Sequence, residues 1–143
     1  MSYGEMKYAT LRVYGREMDP AIITEALGVK PSSTQRRGDR VGAKNREREI
    51  QVDGWFLTSR GSFESPDMVG HIAWLLDHVA GSLPRLQDLS EVTLVNLFCC
   101  WHVSEWNEGC RIESSMLLEL GRLGVSLDFD IYGASNGEGS SVY

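Results

Sequence analysis

Arg36, Arg37 and Arg40 fall within one short stretch, with Gly38 and Asp39 between them. Guanidinium groups make charge-assisted, often bidentate bonds to phosphate or carboxylate, and a glycine among them lets the backbone wrap an anion. This is the sharpest polar cluster in the chain. The plainer reading is a solvated basic loop in which Asp39 pairs with a neighbouring arginine. Asp128 and Asp130 form a second constellation, since on a strand they share one face about 7 Å apart. Paired carboxylates at that spacing can serve acid–base or glycosidic chemistry. Alternating carboxylates on a last strand also guard a sheet edge. Acid–base work further requires unlike environments that split the two pKa values, and the sequence shows none. No catalytic residue is assigned.

The sulfur and imidazole groups point to chemistry less well. Cys100 and His102 share a strand face, yet cysteine is among the most buried residue types and its run is apolar. His71 and His78 lie seven apart, about 10 Å along a helix, and no close ligand pair of the zinc type occurs. Neither a metal nor any other cofactor is expected. Among the large aromatics, Trp55 could line a cleft with Arg36 and Arg37. Trp106, between Glu105 and Glu108, could anchor a partner from an exposed loop.

The charge that must be positioned is strongly segregated. The 143-residue chain carries a net charge of −6, but Lys30 to Arg48 holds seven basic and two acidic residues, a local balance of +5. The remainder is at −11, which would repel a phosphate backbone and disfavours nucleic acid as partner. An acidic body with a basic loop suits a charged protein partner. The apolar runs fall well short of the roughly 20 residues that span a bilayer, so no membrane association is expected. The N-terminus shows no apolar signal region, and three cysteines form an odd set; both suggest a reduced, cytoplasmic protein.

Periodicity outlines the elements. Tyr8–Gly15 alternates as a half-buried strand. Asp19-Pro20 opens a short helix that Gly28 stops. Lys30–Asp53 is polar and poorly periodic, with room for a short strand near Ser33–Arg37. Trp55–Ser59 reads as a strand, and Met68, Ile72, Leu75, Leu76 and Val79 mark the longest helix. Val92–Val103 is the most apolar strand, expected in the middle of the sheet. A helix with Met116, Leu117, Leu120 and Leu123 turned inward follows. Leu127, Phe129 and Ile131 then alternate with Asp128, Asp130 and Tyr132 in a last strand. These elements make an α+β domain over residues 1–132. Its sheet is mainly antiparallel, with two or three helices on one face, and a ferredoxin-like arrangement fits. Residues 133–143, rich in glycine and serine, read as a flexible tail.

The segments YATLRVYG, DPAIITEALGVKPS, RRGD, GWFLTS, HIAWLLDHV and LGVSLDFDIYG, in this order, resemble the family called domain of unknown function 4279. The resemblance spans about Tyr8 to Gly133. It implies a bacterial, cytosolic protein and brings no catalytic residues to carry over. The leading expectation is a noncatalytic binding or protein-interaction module, with a role in immunity or defence as an association only. One alternative is a small anionic-ligand binder or enzyme with a cleft beside the basic loop 30–48. Another is a structural homodimer paired through a sheet edge. The candidate binding residues are Arg36, Arg37, Asp39, Arg40, Trp55 and Trp106.

Overall fold

The computed structural model describes residues 7–133. Residues 134–143 of the expected tail lie outside them. Strand β1 (Lys7–Gly15) alternates buried and half-buried positions along its whole length. Helix α1 (Pro20–Leu27) is capped by Asp19, whose side chain accepts from the Ala21 N–H, and ends at Gly28 in the left-handed conformation. Three short strands follow: β2 (Ser33–Gln35), β3 (Arg40–Val41) and β4 (Arg48–Glu49). Strand β5 (Asp53–Thr58) leads to helix α2 (Met68–Val79) and a 3₁₀ turn (Leu83–Asp88). Strand β6 (Val92–His102), helix α3 (Ser114–Leu123) and strand β7 (Ser126–Tyr132) complete the order.

The main sheet has the order β2-β5-β1-β6-β7, while β3 and β4 pair as a separate antiparallel hairpin. The β2/β5, β5/β1 and β1/β6 pairs are antiparallel and β6/β7 is parallel, so the sheet is mainly antiparallel but mixed. Strand β1 sits between β5 and β6, giving one split β-α-β unit of the ferredoxin-like kind. The β6–α3–β7 crossover instead joins adjacent strands. The fold is α+β, as the periodicity implies. The middle position belongs to β1, with the apolar β6 beside it.

The register sets the two faces. Leu11 pairs with Leu57 and Leu97, and Val13 with Trp55 and Val95, so these side chains point together to the helix side. There they pack with Ile23 and Leu27 of α1, Ile72, Leu75 and Val79 of α2, and Leu120 of α3. The opposite face has no helix over it among the described residues. It carries Tyr8, Arg12, Phe98 and Asp128, with Arg12 bound to Asn96 and Asp128 and lying 4.5 Å from the Phe98 ring.

The structure departs from the sequence pattern at α3 and in the stretch between β2 and β5. Leu117 is half exposed rather than inward, because α3 overhangs the edge strand β7 and only Leu120 of that helix is fully buried. The stretch Lys30–Asp53, read as irregular, contains the β3/β4 hairpin, whose residues are all exposed and therefore leave no apolar period. No helix among the described residues is long and apolar enough to cross a membrane.

Candidate functional site

Where β1 ends, the chain has no space for a side chain. A Cβ on Gly15 would crowd the Glu91 carbonyl oxygen and lie 2.5 Å from the Met18 sulfur. The turn continues through Glu17, which adopts φ 46°, and buries Met18 completely. Holding a non-glycine residue in that region costs about 1–2 kcal/mol, so the surrounding bonds must enforce it. They originate at Asp53, the first residue of β5, which is paired with Gly15.

The Asp53 carboxylate is buried and fully engaged. It accepts from the Met18 N–H at 2.8 Å, the Arg37 N–H at 2.7 Å and Arg36 Nε at 3.3 Å. The Arg37 backbone N–H is the main cause holding its carboxyl below the usual range. Burial pushes the other way, and the Met18 and Arg36 bonds assist the lowering. One carboxylate thus ties the turn after β1 and the start of the basic loop to β5.

The loop is then braced internally. Asp39 accepts from the Arg36 N–H at 2.9 Å and donates its own N–H to the Arg36 carbonyl, with Gly38 at φ 96° inside the turn. Gly38 and Ile50 close the base of the hairpin through backbone bonds. Arg36 also lies 3.8 Å from Asp19, and Arg40 pairs with Glu47 across the hairpin at 3.3 Å. Arg36, Asp39 and Arg40 therefore act as braces.

Arg37 differs. Only its backbone is held, and among the described residues its guanidinium makes no ion pair; the same is true of Arg16. Both line a groove of about 770 Å³ with Glu17, Gln51, Asp53 and Thr93. Two cationic side chains thus line one concave space together with Glu17, beside an Asp53 carboxylate whose oxygens are occupied by its donors. Sequence reading singled out Arg37 but missed Arg16, which lies 21 residues away and reaches the groove only through the Gly15–Met18 turn. The run Gly-Arg-Glu-Met, a glycine and an apolar residue bracketing two charges after a strand, was the available signal.

The aromatic candidates do not join this groove. Trp55 is 0% exposed on the helix side of β5, with Nε1 donating to Thr24 Oγ1 at 3.0 Å, so it cannot line a surface cleft. Parity decides this, because Trp55 shares the face of Leu57 and Val13. Trp106 is 90% exposed, but its loop lies at the Lys7 end of β1, eight residues or roughly 26 Å of strand from Gly15. That loop is fixed by Glu108, which pairs with buried Lys7 at 3.1 Å and accepts from Trp101 Nε1 and the Ser104 and Glu105 N–H groups. Burial opposes its charge, yet the bonds from Ser104, Trp101 and Lys7 prevail and lower its carboxyl to about 2.

The other constellations are absorbed by structure. The Ser65 carbonyl can only accept, so His71 Nε2–H donates to it, and in the neutral ring Nδ1 accepts from the Ser59 hydroxyl at 2.7 Å while Ser59 Oγ accepts from the Ala9 N–H; Ser59 and His71 are fully buried. This serine–histidine pair has no access to a substrate. Cys100 is buried, His102 stacks on Tyr132, and burial pushes the Cys99 thiol up to about 12. Asp128 accepts from Arg12 and from Asn96, and Asp130 accepts from the Tyr132 hydroxyl. Among the described residues no three histidine, cysteine or acidic side chains converge as metal ligands.

An α+β domain with a groove lined by Arg16 and Arg37, beside the base of a basic hairpin, is the class that this geometry defines. The family model described as Domain of unknown function (DUF4279) matches residues 5–134, and the chain belongs to that family. No curated protein and no solved structure matches the chain.

Proposed function

We propose that this chain is a noncatalytic binding module that receives an anionic group of an acidic partner protein in the groove beside the basic hairpin. The observation that supports it is the pair Arg16 and Arg37, which face one groove without ion pairs among the described residues while Arg36 and Arg40 are engaged by carboxylates. An unpaired guanidinium keeps its forked donor set for a carboxylate or phosphate. The contrast between the +5 segment and the −11 remainder orients an acidic partner towards the hairpin and raises its association rate.

The test is titration with a glutamate decapeptide, followed by calorimetry at low and moderate salt. The double substitution Arg16→Glu and Arg37→Glu should weaken binding by roughly tenfold or more, since charge reversal replaces attraction by repulsion. Unchanged affinity in this variant contradicts the reading.

A small anionic ligand is the second reading, favoured by the size of the groove, about 770 Å³, within the range of small-molecule sites. Thermal-shift screening with phosphate, citrate and other small anions separates the two. A ligand at 100 times its dissociation constant should add about 2.7 kcal/mol. Saturable binding of a small anion, with none of the decapeptide, assigns the groove to that class.

A further inference from the structure

Strand β7 ends the main sheet, paired with β6 on one side and with no strand on the other among the described residues. The free N–H and C=O groups of an edge strand form a template for another strand, and proteins commonly blunt such edges with proline, bulges, shortness or charge; of these β7 carries only the carboxylates of Asp128 and Asp130, which disfavour an acidic strand but not a basic one. β7 runs for seven residues without proline and without a shift in its register to β6. On its helix side, Phe129 and Ile131 are 39% and 58% exposed. Beside them lies an apolar groove of about 480 Å³, which Leu117 of α3 and Ile112 also line. On the other face Asp130 makes no ion pair among the described residues and accepts only from the Tyr132 hydroxyl.

We propose that β7 and this groove accept an extended segment of a partner protein by strand addition. The segment carries apolar side chains at alternate positions and lysine or arginine between them. In this mode main-chain bonds supply affinity, and pockets for alternate side chains supply specificity. The apolar positions enter the groove beside Phe129, Ile131 and Leu117. The intervening positions share a face with Asp128, which Arg12 and Asn96 already engage, and with Asp130, which makes no ion pair among the described residues and is where positive charge is complementary. A second copy is the poorer occupant. Antiparallel pairing centred on Phe129 sets Asp128 opposite Asp130 of that copy, and like charges directly opposite destabilise a sheet.

The probe is the capped peptide Ser-Val-Lys-Val-Lys-Val-Ser, compared with its counterpart carrying glutamate for lysine. Binding to the full chain is read by fluorescence anisotropy and by amide shifts in the nitrogen–proton spectrum. The lysine peptide should shift amides of residues 126–132 and bind roughly tenfold more tightly than the glutamate peptide. Asp130→Lys should remove that preference. Ile131→Glu and, separately, Leu117→Glu should abolish binding without changing the circular dichroism, since both side chains are already exposed. The Arg16 and Arg37 reversals should leave this peptide unaffected, which keeps the test apart from that of the basic groove. Absence of shifts on β7, or equal binding of both peptides, overturns the proposal. So does a sedimenting dimer that Ile131→Glu dissolves, which assigns the edge to a second copy. Amide protection at 127–131 that disappears when residues 134–143 are removed assigns it to the chain's own segment and also overturns the proposal.

Discussion

Two engaged carboxylates govern the two ends of β1. At one end Asp53 collects two backbone N–H groups and Arg36 Nε; at the other Glu108 collects Lys7, Trp101 and the turn after β6. Asp53→Asn keeps the shape but turns an amide N–H₂ towards donors that need an acceptor. It should cost about 1–3 kcal/mol, measured as a lower urea midpoint. Glu108→Gln leaves the Lys7 ammonium, nearly closed off from solvent, without its counter-charge and should cost about 3 kcal/mol. The pH dependence has a definite sign. Glu108 is held at about 2 when folded against an ordinary 4.5, so its stabilisation is complete above pH 4.5 and is lost as pH falls towards 2. Asp53 acts in the same direction, from its ordinary 3.8 downward. Urea denaturation from pH 6 to pH 2 should show the wild type converging on the Glu108→Gln variant in acid. A gap that stays constant contradicts the assignment.

At the scale of elements, Gly15 and α3 give opposite expectations. Gly15→Ala places a methyl against the Glu91 carbonyl and the Met18 side chain and should destabilise by about 1–3 kcal/mol in thermal denaturation. On α3, Leu120→Ala should cost about 2–5 kcal/mol, whereas Leu117→Ala should stay within about 0.5 kcal/mol, because only the former is buried. Periodicity revealed the apolar stripe of this helix but not that the sheet beneath it ends at β7. Capping chemistry was more legible: Asp19, Pro20 and Gly28 bound α1 as their side-chain and backbone preferences require. The β3/β4 hairpin was hidden because all its residues face solvent. Trp55 adjoins the basic loop in sequence, but strand parity turns it into the core.

Across the whole molecule, the charge imbalance read from the sequence acquires a location. Arg16 and Arg37 meet only because Asp53 draws two turns onto the start of β5, a non-local arrangement that spacing does not encode. Among the described residues, the helix-free sheet face and the unpaired edge of β7 are likewise consequences of topology. The proposed binding surfaces therefore lie at opposite extremes of charge, a cationic groove near the Gly15 end of β1 and an apolar, acid-flanked edge at β7. The most direct measurement is calorimetric titration of the glutamate decapeptide into wild type and into the Arg16→Glu, Arg37→Glu variant, at two salt concentrations. Binding to the wild type should be salt-sensitive and should fall by roughly tenfold or more in the variant while its thermal unfolding is retained. Equal binding by both proteins, or none by a folded wild type, would contradict the proposed function.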